Sequence, residues 1–363
     1  MDFGREGTWS HWKDQIREIA GEINNDSDFS IIDRYIKNNR ILLLGESSHG
    51  IGDFYTTKID LIRYLHEQHG FNVVVLESSF IEATLCKRFL KDQPTKLQIQ
   101  NCFLDIFHNE EMIPLFNENW ARSIKLSGMD PQPTYPLISD YIIDWIRHYT
   151  NNELYRKIKE AEKAFFELDK QIMFKITKSL KVKMKSLIKE YQILLDLINK
   201  KRQICTKQEE RKIIGIIQQG MQNRMDWLRL NLKEYLSSGI KRDLYMFENV
   251  EWLMNHYFKN EKLIIWAHNF HIRRKQTLSS RILGIKTVGN LLYEKYPEEV
   301  YSIGMYAGKG KFSTQLRVEL EIDSSRKNHL ESLLSEASTT NLFLPLDVEN
   351  QPVYKKMWYR RRW

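Results

Sequence analysis

An α/β architecture, with a mainly parallel central sheet flanked by helices and a long inserted helical lobe, follows from three features of this 363-residue chain. Short apolar runs recur towards both ends of the sequence, and most empty into polar residues. Stretches with helical periodicity separate those runs. Between the two groups lies a proline-free segment whose apolar residues recur at three- and four-residue intervals. Unbroken apolar runs suit strands covered on both faces, whereas that spacing suits amphipathic helices.

Taken in order, "RILLLG" supplies the first strand, and "DFYTTKIDLIRYLHEQHG" the helix after it, closed by Gly70 as a C-cap. "NVVVLES" is a second β-branched run, so strand, helix and strand form a βαβ unit with parallel pairing. "IKLSGMD", "KLIIWAHN", "VYSIGMY" and "LFLPLDV" read as further strands. Residues 1–150 and 240–363 therefore form the α/β core, and residues 151–239 a basic helical insertion that walls one side of a cleft. Gly215, Gly220 and Gly239 are expected to break its helices.

Composition narrows the function classes. Apolar residues make up 42% of the chain and aromatics 12%, enough for a sizeable core. Three cysteines, none in a C-x-x-C spacing, argue against a disulfide framework and a thiolate metal site and fit a reducing compartment. The N-terminus shows no apolar signal region and no run approaches a membrane span, so a cytoplasmic location is expected. The net charge of +8 is concentrated in the insertion: residues 151–250 hold 22 Lys and Arg against 13 Asp and Glu. Lysines on amphipathic helices ordinarily form solvated faces. "KKRQICTK" and the terminal "WYRRRW" suit phosphate groups, but no nucleic-acid motif accompanies them, and nucleic acid is not the expected partner.

The chemistry lies where the strands end. The first releases Glu46 and His49, the second ends on Glu77 with Ser78 and Ser79, the third on Asp130 with Gln132 beyond, and the fourth on His268, Asn269 and His271. A parallel sheet aligns its carboxyl ends along one edge, where open α/β folds bind ligands. Four distant segments would thus bring carboxylates and imidazoles to one crevice, with His49 as a base poised by an acidic neighbour. Ser47 and Ser48 fail the G-x-S-x-G pattern and read as helix caps or donors to neighbours. His268 and His271 resemble a metal pair, but H-E-x-x-H is absent, so a metal-free site without cofactor is expected. His66 and His69 suit the C-terminal end of their helix.

The ordered motifs "LGESSHG", "VVLES", "GMDPQ", "RDLYMFENVEWL" and "WAHNFHI", from about Ile41 to about Tyr306, resemble the erythromycin esterase family of macrolide-inactivating hydrolases and their bacterial relatives. The resemblance implies an α/β core with a helical lobe and metal-independent hydrolysis of a lactone-type ester by activated water. It suggests His49 as general base, Glu77 as its acidic partner with Glu46 beside it, and His268 and His271 as the family's paired histidines. Lys58 falls at the family's basic position after the first strand, and Arg242, Asp243 and Asn249 match its R-D-x-x-M-x-x-N stretch. Serines stand at 47 and 48 where the family often has alanine and threonine, and Phe270 stands where a small residue is common.

The function expected is therefore hydrolysis of a small-molecule ester or lactone, a macrolide or related natural product. His268 or His271 would polarise the carbonyl or protonate the leaving alkoxide, and Lys58 or Arg242 would stabilise the oxyanion. Asp130, Gln132, Asp243 and Asn269 complete the substrate-binding set. The rival readings are acyl transfer or tailoring chemistry in secondary metabolism, a ligand-binding protein on an inactive scaffold, and nucleic-acid binding by the basic lobe.

Overall fold

The structure, a computed structural model, describes residues 9–36, 38–232, 235–314, 318–323, 330–338 and 340–346. Five strands form the central sheet: β1 (Ile41–Glu46), β2 (Phe71–Ser79), β3 (Lys125–Asp130), β4 (Lys262–His268) and β5 (Val300–Met305). All neighbours run parallel in the order β3-β2-β4-β1-β5. This is the α/β fold read from the alternating runs, with one change: β4 lies between β1 and β2. Its Leu263–Ala267 stretch is wholly buried, which suits the central position, so the first two strands share a sheet without touching.

Helix α1 (Gly52–His69) follows β1 and ends at Gly70, whose φ of 70° lies in the left-handed region that a side chain disfavours. Its N-cap is Ile51, which makes no side-chain cap hydrogen bond, so Ser47 and Ser48 do not cap it. At its far end His66 Nδ1 lies 3.2 Å from Phe71 O, and His69 Nε2 lies 2.7 Å from Asp33. Helix α2 (Phe80–Phe89) leaves β2 directly. The insertion contains α3 (Asn152–Ile172), α4 (Lys178–Ile204) and α5 (Gln208–Asn231), and α6 (Tyr235–Trp252) leads back towards the sheet.

Gly215 and Gly220 lie inside α5 rather than at helix breaks. A Cβ there would meet the Arg202 guanidinium or the Ile81 side chain within 3 Å, so these glycines permit close helix packing. Gly239 likewise lies within α6. Leu342 and Phe343 of "LFLPLDV" belong to a strand, Asn341–Phe343, which pairs antiparallel with Gly21–Ile23 in a separate sheet; the run's last two residues lie outside the described residues. A third small sheet is the hairpin Lys309–Ser313 with Glu319–Asp323. The terminal "WYRRRW" also lies outside the described residues.

One hydrophobic cluster runs from sheet residues such as Leu43, Val75 and Ile265 to Phe165, Ile198 and Met225 of the insertion. An ion cluster joins the same parts. The buried Arg224 of α5 contacts Glu82 of α2 and Glu162 of α3, and lies over the rings of Phe165 and Phe166 at 4.7 and 4.9 Å. Ser139 and Tyr191 donate to the Glu162 carboxylate, the latter at 2.6 Å. Because the Glu162 and Arg224 charges are both removed from water, each depends on its partners.

Candidate active site

Sheet register brings the first groups together. Glu46 closes β1 directly opposite His268 at the end of β4. The chain then turns through residues 47–51 into α1, presenting His49 over the carboxyl edge. Gly50 lets this turn run against the small hairpin: its carbonyl accepts from Ser313 N at 2.9 Å, and a Cβ there would fall 1.6 Å from Ser313 O.

His49 Nδ1 lies 2.9 Å from Glu46 Oε1, while 24% of its side chain remains exposed. The other Glu46 oxygen contacts Nζ of Lys58, which is fully buried and lies 4.8 Å from the Trp266 ring centroid. Burial drives the Lys58 pKa well below its usual value, against the opposing pull of Glu77. Burial also lowers the His49 pKa; Glu77 opposes the shift, while His271 and Arg242 reinforce it. The neutral ring of His49 is therefore favoured. A carboxylate can only accept, so Nδ1–H donates to Glu46 and the free lone pair lies on Nε2.

A second unit lies one strand away. Glu77 Oε2 accepts from His268 N at 2.9 Å, and its Oε1 lies 3.3 Å from His271 Nε2 and 3.9 Å from Arg242. His271 Nδ1 donates to Asp243 Oδ1 at 2.8 Å; that oxygen also accepts from Val288 N at 3.0 Å. Burial disfavours the imidazolium, but two flanking carboxylates outweigh it and push the His271 pKa up to about 10. Burial would raise Glu77, yet the charges of His271, Arg242 and His49, with the His271 hydrogen bond, hold its carboxyl well below the usual range.

Arg242 Nε donates to both oxygens of the buried Asp130, at 3.2 and 3.1 Å, and Nη2 contacts the same carboxylate. Burial works against the guanidinium charge, but Asp130 and Glu77 raise its pKa, so it stays protonated. Asp130 also accepts from Gln132 N at 3.0 Å, and Asn249 Nδ2 donates to Met129 O at 2.8 Å. His268 spends both nitrogens locally: Nδ1 accepts from Phe270 N at 3.1 Å and Nε2 lies 3.1 Å from Ser47 O. Its ring lies 5.2 Å from that of His49, and burial lowers its pKa. Asn269 Nδ2 donates to Met305 O at 3.0 Å, tying the site to β5. Phe270 is 42% exposed, with its ring centroid 5.2 Å from that of His271 and the Arg273 guanidinium over it.

The structure thus gathers Glu46, His49, Lys58, Glu77, Asp130, Arg242, Asp243, His268 and His271, while the contacts of Gln132 and Asn269 are backbone-directed. It corrects the pairing of His49. Its hydrogen-bond partner is Glu46, and Glu77 pairs with His271, because β4 separates the strands that carry Glu77 and His49. Lys58 lies beneath Glu46, away from the crevice. Sequence reasoning missed Trp266 under Lys58 and the Arg224 cluster. The legible signal for the latter was a charge among apolar residues, Glu82 in "FIEATLC" and Arg224 in "MQNRMDW". Among the described residues no group of three or more His, Cys, Asp or Glu is placed to hold a metal ion.

Fold and site together define an α/β protein with a cluster of carboxylates and histidines at the carboxyl edge of a parallel sheet. The chain belongs to the erythromycin esterase family, whose model, "Erythromycin esterase", matches residues 66–362. Membership makes it a hydrolase of the erythromycin esterase type. It is 24% identical to "Putative hydrolase YbfO" of Bacillus subtilis (strain 168), over 93% of this chain and 81% of the relative. With erythromycin esterase type II of Escherichia coli the identity is 23%, over 91% and 87% respectively. The fold is similar to the crystal structure of a Bacillus cereus protein, with TM-score 0.80 and 19% identity, covering 96% of this chain and 88% of that one. Among the described residues no helix is long and apolar enough to cross a membrane.

Proposed function

We propose that the protein cleaves a carboxylic ester, a macrolactone or related cyclic ester, by water activated at His49. The single observation that carries this reading is the part-exposed imidazole whose Nδ1 lies 2.9 Å from the buried Glu46 carboxylate, which leaves Nε2 as the proton acceptor. His49 Nε2 takes a proton from water as the oxygen attacks the ester carbonyl. Glu46 stabilises the imidazolium so formed, and that imidazolium returns the proton to the departing alkoxide. The products are an acid and an alcohol.

Charge developing on the carbonyl oxygen falls near Arg242 and the His271 imidazolium, both held in place by buried carboxylates. His268, with both nitrogens bonded to backbone, orients the turn that carries His49. The insertion of residues 151–239 would wall the cleft, and α6, which begins within it and runs past its end, carries Arg242 and Asp243 into the site. The reaction needs no metal or cofactor in this scheme, and the intended setting is cytoplasmic detoxification or tailoring of natural products.

Mass spectrometry of macrolides and other cyclic esters incubated with the protein tests the reading. Gain of one water, retained after exhaustive chelation, is expected. A product carrying an added amine or alcohol would instead identify an acyl transferase. Failure of every ester to react would remove the proposal.

A further inference from the structure

The motif "KKRQICTK" is not absorbed by the site at the carboxyl edge. Its Arg202 lines an open cavity of about 470 Å³ at the opposite edge of the sheet, where β3 begins at Lys125 and Glu261 precedes β4. Arg211 and Lys259 line the same cavity, with Trp252, His256 and Tyr257. We propose that this cavity binds a nucleotide: a small polyphosphate carrying a planar aromatic base.

Three observations carry the assignment. The first is charge. Among the described residues Arg211 and Lys259 form no ion pair, and Arg202 Nη1 donates only to the neutral Gln218, at 3.1 Å. Burial and the nearby Arg211 charge lower the Arg202 pKa, while burial, Arg202 and Lys259 lower that of His256. Arg202 and Arg211 repel one another, and an anion between them would relieve the repulsion. Guanidinium pairs suit phosphate oxygens, which they engage two at a time.

The second is the aromatic wall. Trp252 and His256 lie 5.6 Å apart, centroid to centroid, and Tyr257 adjoins them, offering faces on which a base can stack. The third is the backbone. Leu253–Tyr257 forms a π-helical turn at the end of α6, a rare geometry that recurs at functional sites, and here it carries His256 and Tyr257 to the cavity.

Shape and charge spacing favour a small ligand over a nucleic-acid strand. The site is a concavity within the usual range for small-molecule pockets, about 300–1,000 Å³. Two of its other lysines are already engaged: Lys125 contacts Glu261, and Lys212 lies 2.7 Å from Glu209. These pairs leave fewer free cations for a phosphate backbone to track.

The test is isothermal titration of the full chain with ADP, pyrophosphate and adenosine, each separately. ADP is expected to bind with Kd at or below about 100 μM, at least about tenfold tighter than either fragment. Arg211→Glu and Lys259→Glu, both at exposed positions, should each weaken ADP about tenfold or more without altering the melting temperature or ester hydrolysis. Absence of saturable ADP binding up to millimolar concentration would overturn the proposal. So would unchanged affinity in both variants. Pyrophosphate binding as tightly as ADP would overturn the aromatic part, leaving a simple anion site in its place.

Discussion

Replacing Glu46 by Gln keeps the side chain's shape while removing the charge that faces His49. In the ground state little should change, because an amide oxygen can still accept the Nδ1–H that now lies 2.9 Å from Glu46 Oε1. The cost appears when His49 becomes an imidazolium. Two unit charges about 4 Å apart interact by about 4 kcal/mol at an effective dielectric constant near 20. The 2.9 Å contact and the burial of Glu46 place the pair in that regime. At about 1.4 kcal/mol per decade, kcat should fall by roughly two to three orders of magnitude, with KM little altered. Folding should survive, since burial already favours the uncharged amine of Lys58, the other partner of Glu46. The assay is the initial rate of ester hydration followed by mass spectrometry, with melting temperature as the control for folding. A folded Glu46→Gln protein with kcat within about threefold of the parent would refute the pairing as a catalytic device.

Three further outcomes follow from the same geometry. His49→Ala should lower kcat by about two to four orders of magnitude while leaving the sheet folded, and near-normal turnover would reject His49 as the base. In His271→Asn the loss of stability should depend on pH. The pKa rises from the ordinary imidazole value of about 6.5 to about 10 on folding, so the stabilisation is complete below the lower value and is lost as pH rises through the upper one. Urea unfolding should therefore show a deficit on the order of 4 kcal/mol near pH 6 that shrinks towards pH 10; a deficit constant with pH would sink the ion-cluster account. Arg224→Met should destabilise the fold by about 3–5 kcal/mol by leaving Glu82 and Glu162 buried without their cation. A loss below about 1 kcal/mol would mean that other groups already balance those carboxylates.

Much of the site was legible because its signals are local. Glu46 and His49 are three residues apart in a turn between an apolar strand and a helix, and their contact follows from that turn. The paired histidines close a buried strand in the same way. The charged members of the Arg224 cluster were less legible, since a charge on an amphipathic helix reads as solvated until the neighbouring helices are placed. The glycines of α5 misled for a related reason. Glycine lowers helix propensity, yet Gly215 and Gly220 sit in a helix because their missing side chains let Arg202 and Ile81 approach.

Periodicity and strand-end composition were enough to specify a parallel α/β sheet and to gather the candidate residues on its carboxyl edge. Those are properties of each segment taken alone. Partner choice within the edge was not. Whether His49 meets Glu46 or Glu77 depends on which strand takes the centre of the sheet, and β4 reaches that place from far beyond β2 in the sequence. Its apolar stretch is covered on both sides there, and in that place it separates Glu77 from His49 and carries His271 to Glu77. That competition for burial is a property of the assembled core, so only the tertiary structure decided which carboxylate serves which histidine.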